Sequence, residues 1–433
     1  SGFGVLSLNK KVAVLGAGPM GLVVAYELLK QGQEVVLFEA DSVVGGMTAS
    51  FDFEGVDIER YYHFICQSDE ALFKLLRDLK IDNKLCWVKT KMGFYYQGKL
   101  FEWGSVSGLL KFQPLVFSDR IRYGIFALIA VLRKNWSDLD KIDAVSWIKR
   151  WIGVNAYDIT WKSLFEQKFH HYTSNLSAAW IWARIHRLGI SSMNGYLEGG
   201  SQTLLKALVK RIEEMGCEIR LNSPVKSIEY NHKLDIVYSQ GKIEQFDVVV
   251  STIPLPYITS IMSNMPPEFL DNYKNIDNIA VVCVIVKLNQ RLTDNFWLNI
   301  NDSRMDIPGI IEFTNLRPMD DHLVYVPYYM PDDHPMYKEH DEVFQKKVRS
   351  YFKMINPDFS DDAIVGMRVS RYRWAQPICP PAHLENLPSI RTNIPGVYIA
   401  DTSFYYPEDR SISESAKLGK KIATMVVEDN AQK

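Results

Sequence analysis

Residues 11–39 constrain this chain more than any other stretch. Lys11-Val12-Ala13-Val14-Leu15 reads as a short buried strand, and Gly16-Ala17-Gly18-Pro19-Met20-Gly21 follows at once. Leu22 to Lys30 then has a helical pattern with Gly32 past its end, and Glu34-Val35-Val36-Leu37-Phe38-Glu39 reads as a second strand. This is a βαβ unit with a Gly-x-Gly-x-x-Gly turn. Gly16 permits the tight turn out of the strand, Gly18 lets backbone approach a pyrophosphate, and Gly21 lets the helix pack close to the sheet. Pro19 has no N–H to leave unsatisfied in the first helical turn. The helix start offers phosphates free N–H groups and partial positive charge. Glu39 places a carboxylate where a ribose 2′-hydroxyl can donate to it. Strand, turn, helix, strand and acid in register predict a dinucleotide site; the alternative is an ordinary βαβ turn with incidental glycines.

The rest of the chain is large enough to carry a second lobe. With 433 residues, the expectation is about two or three domains. Lys plus Arg number 49 against 51 Asp plus Glu, a net charge of −2. With no basic excess, nucleic acid is not an expected partner. Five scattered cysteines (Cys66, Cys86, Cys217, Cys283, Cys379) form no CxxC pair, which argues against a disulfide framework or zinc site and for a reducing, cytoplasmic setting. Residues 1–11 carry no basic segment ahead of an apolar run, so they do not read as a signal peptide. No apolar run approaches the roughly 20 residues that span a bilayer. The longest, Gly124 to Leu132, is flanked by Arg120, Arg122, Arg133 and Lys134. It reads as a buried helix or, alternatively, as a segment (120–134) touching a membrane surface or an apolar substrate.

After Glu39 the chain continues Ala40-Asp41-Ser42-Val43-Val44-Gly45-Gly46-Met47. This resembles the FAD-binding fingerprint of the amine oxidase, protoporphyrinogen oxidase and phytoene desaturase superfamily, in which the Gly-Gly loop lies along the ribityl and pyrophosphate path. Three further segments resemble the same pattern. Tyr196 to Leu204 leads into an amphipathic helix, then a strand and Pro224-Val225; in relatives the residue at Val225 meets the adenine end. Phe246 to Pro254 resembles the strand that returns the chain to the substrate domain. Pro395 to Asp401 is a strand ending in an acid, and Ser411-Ile412-Ser413-Glu414 opens a helix with capping-box spacing. The resemblance places Asp401 on the ribityl chain and the helix start at the flavin's pyrimidine edge; a plain N-cap is the other reading of Asp401. One departure is Ala400 ahead of Asp401, where the family commonly has glycine.

The resemblance implies an α/β fold, with a Rossmann-like FAD-binding domain interleaved with a mixed α+β substrate domain. The expected FAD-binding segments are 1–90, 195–255 and 385–433. The expected substrate segments are 91–194, helix-rich after a hairpin at 94–101, and 256–384, strand-rich. Helices are expected near 118–134, 142–151, 155–168, 177–188 and 340–355, and strands at 279–288, 309–314 and 322–328.

Flavin chemistry asks the protein for position, a dry pocket and sometimes one acid or base. Glu59-Arg60-Tyr61-Tyr62-His63-Phe64 lies in a region that approaches the flavin in relatives. His63 is a candidate acid/base or flavin contact, with an ordinary pKa near 6.5 suited to either, or else a structural histidine bonded to backbone. Arg60 is a candidate clamp on phosphate or carboxylate, or one half of an ordinary salt bridge. Trp374, Tyr405 and Tyr406 are candidate walls of the flavin or substrate pocket, or core rings. Adjacent His170 and His171 face apart on a helix with no third ligand suitably spaced, so no metal site is expected.

The leading expectation is an FAD-dependent oxidoreductase acting by hydride transfer on an organic, apolar or lipid-linked small molecule. A second is a non-redox sugar mutase resembling UDP-galactopyranose mutase, suggested by Tyr61 to Phe64, with Arg371 and Arg373 holding a diphosphate. A third is a non-catalytic flavin-binding scaffold. Substrate, electron acceptor and oligomeric state are not legible.

Overall fold

A computed structural model describes residues 9–189 and 193–431; the stretch before Asn9 that was read against a signal peptide lies outside them. Strand Lys11–Leu15 sits at the centre of a five-stranded parallel sheet, in the order Val397–Ile399, Val248–Ser251, Lys11–Leu15, Glu34–Phe38, Glu218–Arg220. Val12, Ala13 and Val14 are fully buried, as a strand covered on both faces requires. Helix Pro19–Lys30 starts on its proline and packs on the sheet. The C-terminal helix Ile412–Ala431 crosses it closely, because at Gly419 a Cβ would stand 3.0 Å from Met20 O and from Val23.

The second lobe is built on a seven-stranded sheet. Its order is Ile364–Pro377, Asn278–Leu288, His322–Met330, Gly309–Glu312, Trp297–Asn301, Met92–Tyr96, Lys99–Trp103. All neighbours are antiparallel except Trp297–Asn301 with Met92–Tyr96. Strand Asn278–Leu288 is buried almost end to end because it lies between two long partners. A helical layer containing Phe117–Leu132, Ala144–Ile152, Ser163–Phe169 and Ala178–Leu188 covers the far side. The chain passes back and forth between the lobes, so strands of the parallel sheet come from widely separated stretches.

One expectation needs correcting. Helix Phe117–Leu132 is not a core helix: only Phe126 and Ala130 along it are buried. A helix apolar nearly all round normally finds cover on every side. This one leaves Phe117 65%, Ile125 50% and Leu132 65% exposed.

Candidate functional site

The glycine turn and the Gly45-Gly46 loop face one another. Gly16 has φ +96°, and a Cβ there would meet Thr252 Oγ1 at 2.9 Å. Its N–H donates to Phe38 O at 2.8 Å. A Cβ at Gly21 would stand 1.8 Å from Gly16 O, so no larger residue fits. At Gly18 a Cβ would meet no atom within 4 Å. There the missing side chain makes room for something outside the protein. Gly45 N–H donates to Ala17 O at 2.8 Å and locks the two loops together. No side chain caps the first turn of helix Pro19–Lys30, leaving its N–H groups open.

Glu39 holds this cradle in shape. One carboxylate oxygen accepts from Ala17 N–H at 2.7 Å, the other from Asp41 N–H at 2.8 Å. Arg60 pairs with Asp41 at 2.6 Å, so the ordinary salt bridge is what it makes; the pairing also holds the Asp41 carboxyl below its usual range. Gly16, Gly18, Pro19, Met20, Gly21, Glu39, Ala40, Gly46, Met47, Arg60 and Val225 all line one cavity. Gly45, at φ +118°, stands behind its lining.

The C-terminal strand and helix close the same cavity. Asp401 lines it, but its carboxylate is spent on the protein: Leu255 N–H and Ser403 N–H each donate at 2.9 Å, and Ser403 Oγ donates too. It is therefore also the cap of the short turn Thr402–Tyr405. Ser411 accepts from Glu414 N–H at 3.0 Å, half of a capping box. Ser411 and Ile412 line the cavity. Ser413 does not; its hydroxyl turns away and accepts from Leu72 N–H at 3.3 Å.

Tyr61, Tyr62, His63, Tyr372, Trp374 and Tyr405 form an aromatic waist next to the cradle. Trp374 lines the waist with its ring, and its Nε1 is buried with no hydrogen-bond partner among the described residues. His63 Nδ1 lies 2.8 Å from Tyr61 O, and burial pushes its pKa down to about 4. The ring is thus neutral at physiological pH. The value lies below the ordinary 6.5 because desolvation outweighs the nearby Glu59 charge, and the bond to Tyr61 O is the backbone-bonded arrangement, the other reading of this residue.

Tyr406 is also placed elsewhere. Its ring is buried against Trp136 and His383, and its hydroxyl bonds Asp140 and, at 2.6 Å, Ser177 Oγ. It is a core residue and not a cavity wall. Arg371 and Arg373 are equally committed. Arg371 pairs with Asp341 at 2.6 Å and donates to Tyr337 O and Glu339 O; Arg373 pairs with Asp332 at 2.9 Å. The guanidiniums expected to clamp a diphosphate already have partners. His170 Nε2 bonds Tyr329 O at 2.6 Å, and among the described residues no group of three ligating side chains could hold a metal.

Sequence reasoning missed a charged cluster beyond the waist. Arg184 pairs with Asp409 at 3.2 Å, and Asp409 also accepts from Gln376 Nε2 at 3.3 Å. Lys168 and Arg410 flank them on the cavity wall. No local pattern joins residues so far apart in the chain.

Past the cluster the walls turn apolar: Phe101, Trp103, Val106, Tyr123, Ala127, Leu128, Val131 and Leu164. The whole cavity is about 2470 Å³. Ordinary ligand pockets are roughly 300–1,000 Å³, so there is space for a dinucleotide and a second molecule. The cradle and the Gly18 opening fit a bound FAD: Gly16 to Gly21 would hold its pyrophosphate, Glu39 and Val225 would flank its adenosine end, and Ser411 and Ile412 would meet its ring.

A family model described as flavin containing amine oxidoreductase matches residues 21–407. The chain is 23% identical over 318 residues to 15-cis-phytoene desaturase of Synechococcus elongatus, covering 66% of each. It is 26% identical over 324 residues to zeta-carotene desaturase of Zea mays, covering 66% of this chain and 57% of that one. The chain thus spans under two thirds of the length of these curated relatives. Cyclohexylamine oxidase from Brevibacterium oxydans superposes with a TM-score of 0.76 at 15% identity, over 97% of this chain and 99% of that one, a likeness of fold.

Proposed function

The chain belongs to the flavin-containing amine oxidoreductases, and from that membership we propose that it is an FAD-dependent oxidoreductase that oxidises or desaturates a long apolar substrate. One observation carries this reading. A single cavity runs from the phosphate cradle, through an aromatic waist, to an apolar lining on helices Val106–Lys111 and Phe117–Leu132. Two relatives are, by name, desaturases of phytoene and zeta-carotene.

When bound, FAD supplies the hydride acceptor. The chain's own residues do the rest. Tyr61, Tyr62, Trp374 and Tyr405 hold the substrate against the cofactor and keep water out. In neutral His63 the one N–H, on Nδ1, is donated to Tyr61 O, so Nε2 can accept one hydrogen bond without bringing a charge into the waist. The 16-residue helix Phe117–Leu132, about 24 Å long, lines the outer passage with one face.

Its other face explains how such a substrate arrives. Phe117, Ile125 and Leu132 are exposed, as is Val106 on the preceding helix, and Lys111, Arg122 and Lys134 are exposed on the same stretch of chain. Exposed apolar residues and cations on one stretch of chain suit the interface of an anionic bilayer. Among the described residues no helix is long and apolar enough to cross a membrane. The reading is peripheral docking, with substrate passing from lipid into the cavity. The test is anaerobic mixing of the yellow holoenzyme with prenyl lipids, polyenes and amines. Bleaching of the oxidised-flavin absorbance by a prenyl lipid or polyene supports the reading. A flavin that none of them bleaches, while dithionite does, sinks it.

A further inference from the structure

We infer that Lys168, Arg184 and Arg410 form a recognition site for the anionic head group, phosphate or carboxylate, of an amphiphilic substrate whose reacting carbon lies close to that head. This rests on the oxidoreductase reading and narrows its substrate class.

The charge count starts the argument. Three cations share one carboxylate, Asp409, on the cavity wall. Arg184 takes that carboxylate at 3.2 Å. Lys168 Nζ makes no hydrogen bond or contact ion pair among the described residues; it sits 5.0 Å over the Tyr329 ring and 5.7 Å over Phe169. Arg184 Nε and Arg410 Nε have no partner among the described residues, but both are sealed within the wall, so the excess is carried by Lys168 and by the outer guanidinium nitrogens. Nearby Arg187 adds nothing to the excess, because both oxygens of Asp69 hold it, at 3.0 and 3.2 Å. A cavity wall that carries more cations than carboxylates at one place suits an anion. A plain hydrocarbon would leave the excess charge buried and unpaired. Burial and the two arginines hold the Lys168 pKa well below its usual value. An anion bound beside it would offset that push.

Position fixes which part of the substrate is charged. Arg410 directly precedes Ser411 of the cofactor zone, lies 3.7 Å from Met47 Sδ and bonds Ala375 O, next to Trp374. Arg184 reaches Gln376 at 3.4 Å. The cluster therefore stands just beyond the waist, between the FAD site and the apolar passage. A head held there leaves the tail to run along Leu164 and Tyr123 towards helix Phe117–Leu132. The atoms beside the cofactor are then those adjoining the head.

The test titrates the holoenzyme with farnesyl phosphate, farnesoic acid, farnesol and inorganic phosphate, reading the flavin difference spectrum. At least one of the two anionic prenyl compounds should bind about ten-fold more tightly than farnesol, and which one names the head. In Lys168→Met that preference should shrink to about two-fold or less, with farnesol affinity and FAD content unchanged, and Lys168→Arg should restore it. Equal binding of all three prenyl compounds by the unmodified enzyme overturns the inference. So does inorganic phosphate binding as tightly as farnesyl phosphate. So does a Lys168→Met enzyme that keeps the full preference while its flavin potential falls, since the cations would then serve the reduced cofactor. None of these readouts needs turnover. A head-group preference without any oxidation would sink the oxidoreductase reading and leave the site standing.

Discussion

The two ends of the cavity are made in opposite ways. At the cradle, backbone meets backbone: Gly45 N–H on Ala17 O, Gly16 N–H on Phe38 O, and Glu39 bridging two loops. At Gly16, Gly21 and Gly45 tolerance is below one methyl group. At the outer passage, side chains from the hairpin Met92–Trp103 and from helices Val106–Lys111, Phe117–Leu132 and Ser163–Phe169 meet loosely around space, and one helix is buried at only two positions. A dinucleotide has one shape, so its site can be cut to fit by close backbone. A long flexible substrate is better served by a greasy wall that does not dictate geometry.

The sharpest way to break this contrast is one methyl group at the tight end. At Gly21 a Cβ would stand 1.8 Å from Gly16 O, and backbone cannot swing aside as a side chain can. Gly21→Ala should cost at least the usual 1–3 kcal/mol of overpacking and purify colourless. FAD content per chain and thermal melting check it. A yellow Gly21→Ala protein with an unchanged melting point would mean the cradle is not tight at all.

At the loose end, substitutions should change docking and leave the cofactor alone. Phe117→Asp with Ile125→Asp replaces two exposed apolar side chains with charge on one helix. Each fully buried ring or aliphatic group is worth roughly 1.5–3 kcal/mol, so sedimentation with anionic vesicles should fall by about ten-fold or more. FAD content should not move. Loss of FAD in this variant would show that the two ends are mechanically one.

Legibility follows the same divide. The cradle sits in 11–47, where each residue's job is local, so the strand, turn, helix and acid could be read in order. The substrate end is assembled from segments far apart in the chain. Lys168, Arg184 and Arg410 share no spacing rule, and only the fold brings them to one wall. The helix at 117–132 misled for a related reason: an apolar run says that a segment avoids water, not whether protein or lipid covers it. Tyr405 and Tyr406 were indistinguishable as neighbours. In the irregular turn they face apart, Tyr405 to the cavity and Ser415, Tyr406 to Asp140 and Ser177.

That difference yields a middle-sized prediction. Tyr406→Phe removes a buried hydroxyl and leaves Asp140 and Ser177 without it, costing about 1–3 kcal/mol. Denaturant unfolding should register the loss, while the substrate-dependent rate of flavin bleaching should hold. A fall in that rate with unchanged stability would return Tyr406 to the site.

The smallest effect belongs to His63, between the two ends. Its folded pKa, about 4, lies below the ordinary 6.5 because burial disfavours the cation. A base depressed on folding stabilises the protein fully above the unfolded pKa. That contribution drains away as pH falls from about 6.5 through about 4, since the unfolded chain takes up the proton first. Full realisation of the shift would be worth about 3 kcal/mol, at 1.36 kcal/mol per pKa step. The ring is only partly buried, on the cavity wall, so solvent screening should leave a fraction of that. Stability of the unmodified protein should therefore slope downward across this window, and His63→Gln should flatten the slope slightly. The rate of flavin reduction should show no rise through pH 6.5, because the ring is already neutral there. A rate that titrates near 6.5 and loses that dependence in His63→Gln would make His63 the proton-transfer group of the waist, and charge rather than dryness would then govern the junction between the tight end and the loose one.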